Sequence, residues 1–220
     1  NMLAAGLYDG SINIYDVRDA AAELTPLLSS VHAGGKHTEP VWSVQWVEHG
    51  AERGERLVTI SADGRVTQWD LNKGLEHVDL MHLKLHSTRD GTGGPEGVVS
   101  RRASGMCLDF SLGDANIYVT GTEEGALYKC SSGYTEQHLD SYQGHAGAVY
   151  KVKWSPYSPN TFLSCSADWT VKLWNQDDSA CAFSFQPSAE PVADASWSPE
   201  CSTLFASVTP AGPLALGALR

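Results

Sequence analysis

The sequence predicts an all-β chain made of repeated, four-stranded antiparallel units. Three observations predict this. The segment 144–175, GHAGAVYKVKWSPYSPNTFLSCSADWTVKLWN, reads as one nearly complete unit: an alternating run with Val149, Val152 and Trp154, a Ser155-Pro156 turn, a second run at 162–166, a tight turn at Asp168 and a third run at 170–174. Alternation with period two is the mark of a half-buried strand. The second observation is recurrence. Trp197 follows Trp154 by 43 positions, and Trp154 follows Phe110 by 44. The third is punctuation by turn residues, with Asp9-Gly10 and Asp63-Gly64 as hairpin signals between apolar runs. A repeat of roughly 40–45 residues, each holding one small sheet, predicts blades arranged radially as a β-propeller, nearly free of helix.

Each unit follows in order. Residues 3–17 (LAAGLYDGSINIYDV) read as the second and third strands of a blade, with Tyr15-Asp16 closing it, and the stretch to Val31 supplies an outer strand, where Pro26 suits an edge. A second unit opens at Gly35-Lys36-His37. Val41, Val44 and Trp46 form its first strand, Glu48 to Arg56 a charged, solvated loop, and 57–71 (LVTISADGRVTQWDL) strand, turn, strand and the pair Trp69-Asp70. Leu75 to Leu83 is its outer strand. A polar segment with GTGGPEG at its centre then runs over about 86–104. The third unit, 105–130, has Glu123-Glu124-Gly125 in place of the Asp turn and Tyr128-Lys129 in place of Trp-Asp, with an outer strand at 138–142. After the 144–175 unit, Cys181 to Phe185 forms its outer strand. A fifth unit begins with VADASWSP (192–199) and a strand at 203–208, after which 209–220 (TPAGPLALGALR) shows neither an Asp turn nor a Trp-Asp pair. The expected organisation is therefore a propeller segment over 1–208, with blades at about 1–34, 35–85, 105–143, 144–186 and 187–208, a long inter-blade loop at 86–104 and a divergent tail at 209–220. That is about three complete and two partial blades, a segment of a larger propeller whose true N-terminus lies upstream.

The Gly-His opening and the Trp-Asp close resemble the WD repeat, with Trp174-Asn175 as a variant of the closing pair. The resemblance implies a structural tetrad of His145, Ser164 or Ser166, Asp168 and Trp174. In it Asp168 accepts from His145, the other ring nitrogen meets the serine hydroxyl, and the serine meets the indole N–H. A buried network of this kind is tolerable only when every member is satisfied. The same Ser, His and Asp invite a hydrolase reading, but the tetrad already accounts for all three.

Composition narrows the function classes. The 220 residues carry a formal net charge of −11, a poor basis for neutralising phosphates, so nucleic acid is not the expected partner. The same acidity disfavours an anionic membrane surface. No run of about 18 apolar residues occurs, so no spanning helix is expected, and no signal peptide is visible. The five cysteines, Cys107, Cys130, Cys165, Cys181 and Cys201, are odd in number and widely spaced, without a Cys-x-x-Cys pair. They read as free thiols in a reducing compartment. The glycines near residue 92 are followed by no Gly-Lys-Ser/Thr, so they make no phosphate cradle. His82 and His86 have a zinc-like spacing, but on a strand end rather than a helix, and no catalytic Glu stands between them. No cofactor or metal is expected.

Four segments are more specific: GKHTEPVWSVQW (35–46), SADGRVTQWDL (61–71), GTEEGALYKCSSGY (121–134) and SPYSPNTFLSCSADWTVKLW (155–174). Together they resemble the WD-repeat region of dynein intermediate chains, and most nearly the axonemal, outer-arm type. The likeness covers about residues 1–208. It implies a non-enzymatic scaffold subunit of a ciliary or flagellar motor, sited on the cytoskeleton of the axoneme. Its propeller would dock on the dynein heavy chain, in company with a second intermediate chain and light chains, and through them with microtubules. Two other classes are open on the sequence: an adaptor presenting substrates to a ubiquitin ligase, marked by a basic pocket on one face, and a propeller enzyme, marked by titratable groups in the central channel. Trp169, in the turn after Asp168, is the expected partner-binding residue. A tight turn normally takes Gly or a polar residue, so a Trp there either presents its face to a partner, the heavy-chain tail on this resemblance, or folds back onto a neighbouring blade.

Overall fold

A computed structural model describes residues 1–18, 25–48, 55–85 and 102–218. Among them the chain is all β apart from two single-turn 3-10 segments, Ser30–His32 and Leu71–Lys73. The strands are β1 (Met2–Gly6), β2 (Ile12–Asp16), β3 (Leu28–Ser29), β4 (Val41–Glu48), β5 (Glu55–Ser61), β6 (Arg65–Asp70), β7 (Glu76–His82), β8 (Gly105–Phe110), β9 (Ile117–Thr122), β10 (Leu127–Ser131), β11 (Asp140–Tyr142), β12 (Val149–Trp154), β13 (Thr161–Ser166), β14 (Val171–Asn175), β15 (Cys181–Phe185), β16 (Asp194–Trp197), β17 (Leu204–Val208) and β18 (Leu214–Ala218).

Strands pair with their sequence neighbours, so the topology is a series of antiparallel meanders: β1–β3, β4–β7, β8–β11, β12–β15 and β16–β18. The middle three sheets have four strands and the outer two have three. The first strands of successive sheets adjoin, β4 beside β8, β8 beside β12 and β12 beside β16. This is the propeller arrangement, with inner strands near a common axis and β7, β11 and β15 at the rim.

The cores lie between blades rather than within them. Ile12 and Ile14 of the first sheet pack on Leu57 and Trp69 of the second, and Ile60 and Val66 of the second on Leu108, Tyr118 and Tyr128 of the third. Leu127 and Tyr142 of the third meet Val152, Phe162 and Trp174 of the fourth. Leu163, Val171 and Leu173 of the fourth meet Val192, Trp197 and Phe205 of the fifth. Each such side chain contributes roughly 1.5–3 kcal/mol on burial, so a blade is stable through its neighbours. Polar ties cross the same interfaces. The Trp154 indole N–H donates to the Asp109 carbonyl at 3.2 Å, and that of Trp197 to the Lys153 carbonyl at 3.1 Å.

Three features differ from the sequence reading. The tail at 209–220 is not outside the blades: β18 pairs with β17 along its length. It needs no Trp because Gly217 lies against the Phe205 ring, which already occupies the space a side chain would take. The charged loop at Glu48 to Arg56 is shorter than expected, since Glu48 pairs with Glu55. Residues 49–54 lie outside the described residues. The pair standing where Trp-Asp would stand in the third sheet is Cys130-Ser131, not Tyr128-Lys129. Cys130 faces Tyr118 across the ladder just as Trp174 faces Phe162. The expected loop at 86–104 lies outside the described residues up to 101, and so does His86. At its end, Arg102 forms a β-bridge with Lys84.

Candidate functional site

The fourth sheet brings His145, Ser164, Asp168 and Trp174 into one chain of hydrogen bonds. His145 precedes β12, Ser164 lies in β13, Asp168 in the β13–β14 turn and Trp174 in β14. His145 Nδ1 lies 2.9 Å from Asp168 Oδ2, His145 Nε2 lies 2.7 Å from Ser164 Oγ, and the Trp174 indole N–H donates to that oxygen at 2.7 Å. Burial lowers the His145 pKa, against the pull of Asp168, so the ring is held neutral. The consistent assignment has Nδ1–H donating to the carboxylate and Nε2 accepting from the serine hydroxyl. Burial alone would raise the Asp168 carboxyl, but the Thr170 hydroxyl, the His145 ring and the Ala146 N–H together hold it at about 2. Ser166, the alternative member, stands apart. Its hydroxyl donates to the Gly147 carbonyl at 2.9 Å and accepts from the Asp168 N–H at 3.2 Å, bracing the turn. Ser164 is 1% exposed and its oxygen takes the indole N–H, so this is no nucleophile waiting for a carbonyl.

A second network of the same form, which the sequence reading missed, lies in the second sheet. His37 Nδ1 is 3.1 Å from Asp63 Oδ2, His37 Nε2 is 2.9 Å from Thr59 Oγ1, and the Trp69 indole N–H donates to Thr59 Oγ1 at 2.9 Å. The signal was present in the spacing, because Thr59 precedes Trp69 by ten residues as Ser164 precedes Trp174. A threonine hydroxyl does the work of the serine, and that substitution hid it. Burial raises the Asp63 carboxyl, but the His37 ring and the backbone N–H groups of Arg65 and Thr38 bring it below its ordinary value.

Asp109 was also missed. It is 6% exposed in β8 and ties three blades together: it accepts from Gln45 Nε2 at 3.2 Å, Lys153 Nζ at 2.8 Å and the Trp154 backbone N–H at 2.8 Å. A carboxylate between Leu108 and Phe110 in an apolar run is the sequence sign of such a tie.

Trp169 is 44% exposed with φ 72°, in the left-handed region. The matching turn residues of the other four sheets are Gly10, Gly64, Gly125 and Gly212, all at positive φ. Glycine is needed there twice over. A Cβ on Gly64 would lie 2.7 Å from the Ala103 carbonyl oxygen, and one on Gly125 2.5 Å from that of His145. A bulky residue in this conformation is an outlier, and such strain gathers at functional sites. Two more aromatics are exposed at the same end of the blades. β-Bulges at the start of β4 and β12, opposite Ser61 and Ser166 at the turn end of their partner strands, leave Trp42 51% and Tyr150 38% exposed. Among the described residues no three His, Cys, Asp or Glu side chains are grouped to hold a metal, and no helix is long and apolar enough to cross a membrane.

The family model described as "WD domain, G-beta repeat" matches residues 136–175, the span that leads through β11 into the fourth sheet. The chain is 46% identical over 218 residues to the dynein axonemal intermediate chain 4 of Rattus norvegicus, covering 94% of this chain and 27% of that protein. It is 45% identical over 221 residues to the Xenopus laevis protein of the same name, covering 95% and 30%. It is 37% identical over 214 residues to the ciliary dynein intermediate chain 2 of Heliocidaris crassispina, covering 96% and 30%. The chain thus spans about three-tenths of the length of these relatives. Over the residues it spans, the chain is similar to axonemal dynein intermediate chains, and it carries a WD repeat.

Proposed function

We propose that this chain is part of a non-catalytic scaffold subunit of an axonemal dynein motor, in the cytoskeleton of a cilium or flagellum. In this reading the propeller docks on the dynein heavy chain and works alongside a second intermediate chain and light chains, reaching microtubules through them. The observation that carries it is the 45–46% identity to axonemal intermediate chains over 94–95% of these residues. The hydrogen-bond networks add support. The Ser, His and Asp side chains that could suggest hydrolysis are tied into hydrogen bonds that hold the strands of one blade together, which suits a scaffold. Affinity purification of the full-length protein from ciliated cells, with identification of the co-purifying chains, tests the reading. A dynein heavy chain recovered in stoichiometric amount is the expected result, and its consistent absence overturns the proposal.

Trp169 is the residue we place at the partner contact. Trp42 and Tyr150 lie at the same end of the blades, and aromatics of this kind are enriched among interface hot spots. Replacing Trp169 should weaken heavy-chain binding by roughly 2 kcal/mol or more, measured per folded molecule. Full affinity in a folded Trp169 variant removes it from the contact.

A further inference from the structure

The second and fourth sheets both pair their third strand with a rim strand, with register shifts at different places, and the pair two residues before the tryptophan can be compared directly. In the second sheet Thr67 of β6 lies opposite Asp79 of β7. There the Asp79 carboxylate accepts from the Thr67 hydroxyl at 2.9 Å and from Arg65 Nη2 at 2.7 Å. In the fourth sheet the same positions are Lys172 of β14 and Ser184 of β15. The Lys172 ammonium donates to Ser184 Oγ at 2.9 Å. Lys172 is 9% exposed and enters no ion pair among the described residues. The side chain is mostly buried while its ammonium, in a part-buried contact, is held by a neutral hydroxyl where the second sheet supplies a carboxylate. Its charge also reaches the tetrad, where it helps lower the His145 pKa. Ser184 itself is exposed, on an extended rim strand.

We propose that Ser184 is a phosphorylation site whose phosphoryl group is received by Lys172. The second sheet shows what a fixed anion does at this place: it binds the cation on the neighbouring strand and fastens the rim strand to the sheet. The donor is ATP on a protein kinase. Ser184 Oγ attacks the γ-phosphorus, the bond from that phosphorus to the β-bridging oxygen breaks, ADP leaves, and the hydroxyl proton passes to the kinase's base. The product carries a charge of about −1.5 to −2 and three acceptor oxygens beside the ammonium, a charge-assisted contact in place of a neutral one. A charge on the rim strand also discourages edge-to-edge pairing with other sheets.

The full chain with phosphoserine installed at 184 by genetic encoding tests the site. The second phosphate pKa, read by phosphorus NMR, should fall about one unit below its usual value of about 6. It should return to that value in Lys172→Met, or in Lys172→Thr, the residue of the second sheet, should the first not fold. The thermal midpoint should rise by about 2–4 °C only when Lys172 is present. A phosphate pKa at or above the ordinary value overturns the proposal, as does a midpoint shift that ignores Lys172. Phosphopeptide mapping of the protein from ciliated tissue completes the test. Phosphate on Ser184 is expected. Full coverage of the β15 peptide with Ser184 unmodified, across both beating and quiescent cilia, overturns it equally.

Discussion

At Trp169 the ordinary order of glycine and alanine should invert. In strands and helices glycine is the worse residue, by roughly 0.5–1 kcal/mol. Trp169, however, holds φ 72°, a conformation that costs a residue with a Cβ about 1–2 kcal/mol. Both Trp169→Ala and Trp169→Gly remove the buried part of the ring. With 44% of the residue exposed, about 100 Å² of a side chain that can bury 150–250 Å² is lost, or at most about 2.5 kcal/mol at 25 cal/mol per Å². Alanine keeps the backbone strain. Glycine releases it and adds the smaller entropic cost. Trp169→Gly should therefore be the more stable variant by about 0.5–1 kcal/mol, or about 1–4 °C in thermal midpoint for a chain of this size. Differential scanning calorimetry on the two variants reads this directly. Ala167, two residues earlier and without positive φ, is the control, where glycine should be the worse residue. If alanine equals or exceeds glycine at 169, the strain argument fails, and with it the reason for treating this turn as functional.

Asp168→Ala removes the acceptor for His145 and three other donors, and should cost on the order of 1–3 kcal/mol in denaturant unfolding of the full protein; an unchanged midpoint and slope would mean the network contributes nothing. Thr59→Val in the second sheet leaves the Trp69 indole and His37 without their shared oxygen and should cost a similar amount, whereas Thr59→Ser should be nearly neutral, the pair being compared by urea titration. Acid should destabilise the protein in two stages. The folded pKa of His145 is lowered, so its contribution is complete above about 6.5 and is lost as the pH falls from there through its folded value. The Asp168 carboxyl is held at about 2, so its share is present above the unfolded value of 3.8 and is lost as the pH falls toward 2. Midpoints measured from pH 8 to pH 2 should show both steps, and Asp168→Ala should flatten the lower one. Gly125→Ala, whose new Cβ would lie 2.5 Å from the His145 carbonyl oxygen at φ 93°, should destabilise by more than 1 kcal/mol; a neutral result would show that the third and fourth blades are loosely joined at that turn.

The fourth sheet's network was legible because it depends on a buried indole, and an indole donor demands an oxygen, a histidine and a carboxylate at set distances along the chain; the second sheet's network went unread because Thr59 stands in the serine's place. Trp69 and Trp174 mark the third strand, and His37 and His145 the entry. The Ser164–Ser166 ambiguity was not resolvable from alternation, since both serines lie on the same face of β13. Only the register, with Ser164 opposite Lys172 and Val152, sets one of them beneath the indole. The Lys172–Ser184 pair was invisible for a related reason. It exists only across β14 and β15, and a register shift between Leu173 and Trp174 means that counting residues through the hairpin gives the wrong partners.

The degenerate sheets show which part of the repeat carries the fold. The residue five places after each left-handed turn is Tyr15, Trp69, Cys130, Trp174 and Gly217 in the five sheets, ranging from the largest side chain to none. The left-handed turn is present in all five. The two positions face different constraints. The interior position borders an apolar core shared with the adjoining blade, where volume can be exchanged: Phe205 fills the space at Gly217, and Tyr118, packed against Phe110 at 5.0 Å, lies opposite the small Cys130. A hydrophobic interface accepts such trades at modest cost when total volume is kept. The turn has no such freedom, because its residue must reverse the chain at positive φ, and at Gly64 and Gly125 it must also let the next blade's backbone approach to within van der Waals distance. A signature built on Trp-Asp therefore finds the blades that use the tetrad and overlooks those that do not. The tail at 209–220 was overlooked in this way: Gly212, at φ 99°, makes the turn, its N–H donates to the Thr209 carbonyl at 2.9 Å, and β18 follows.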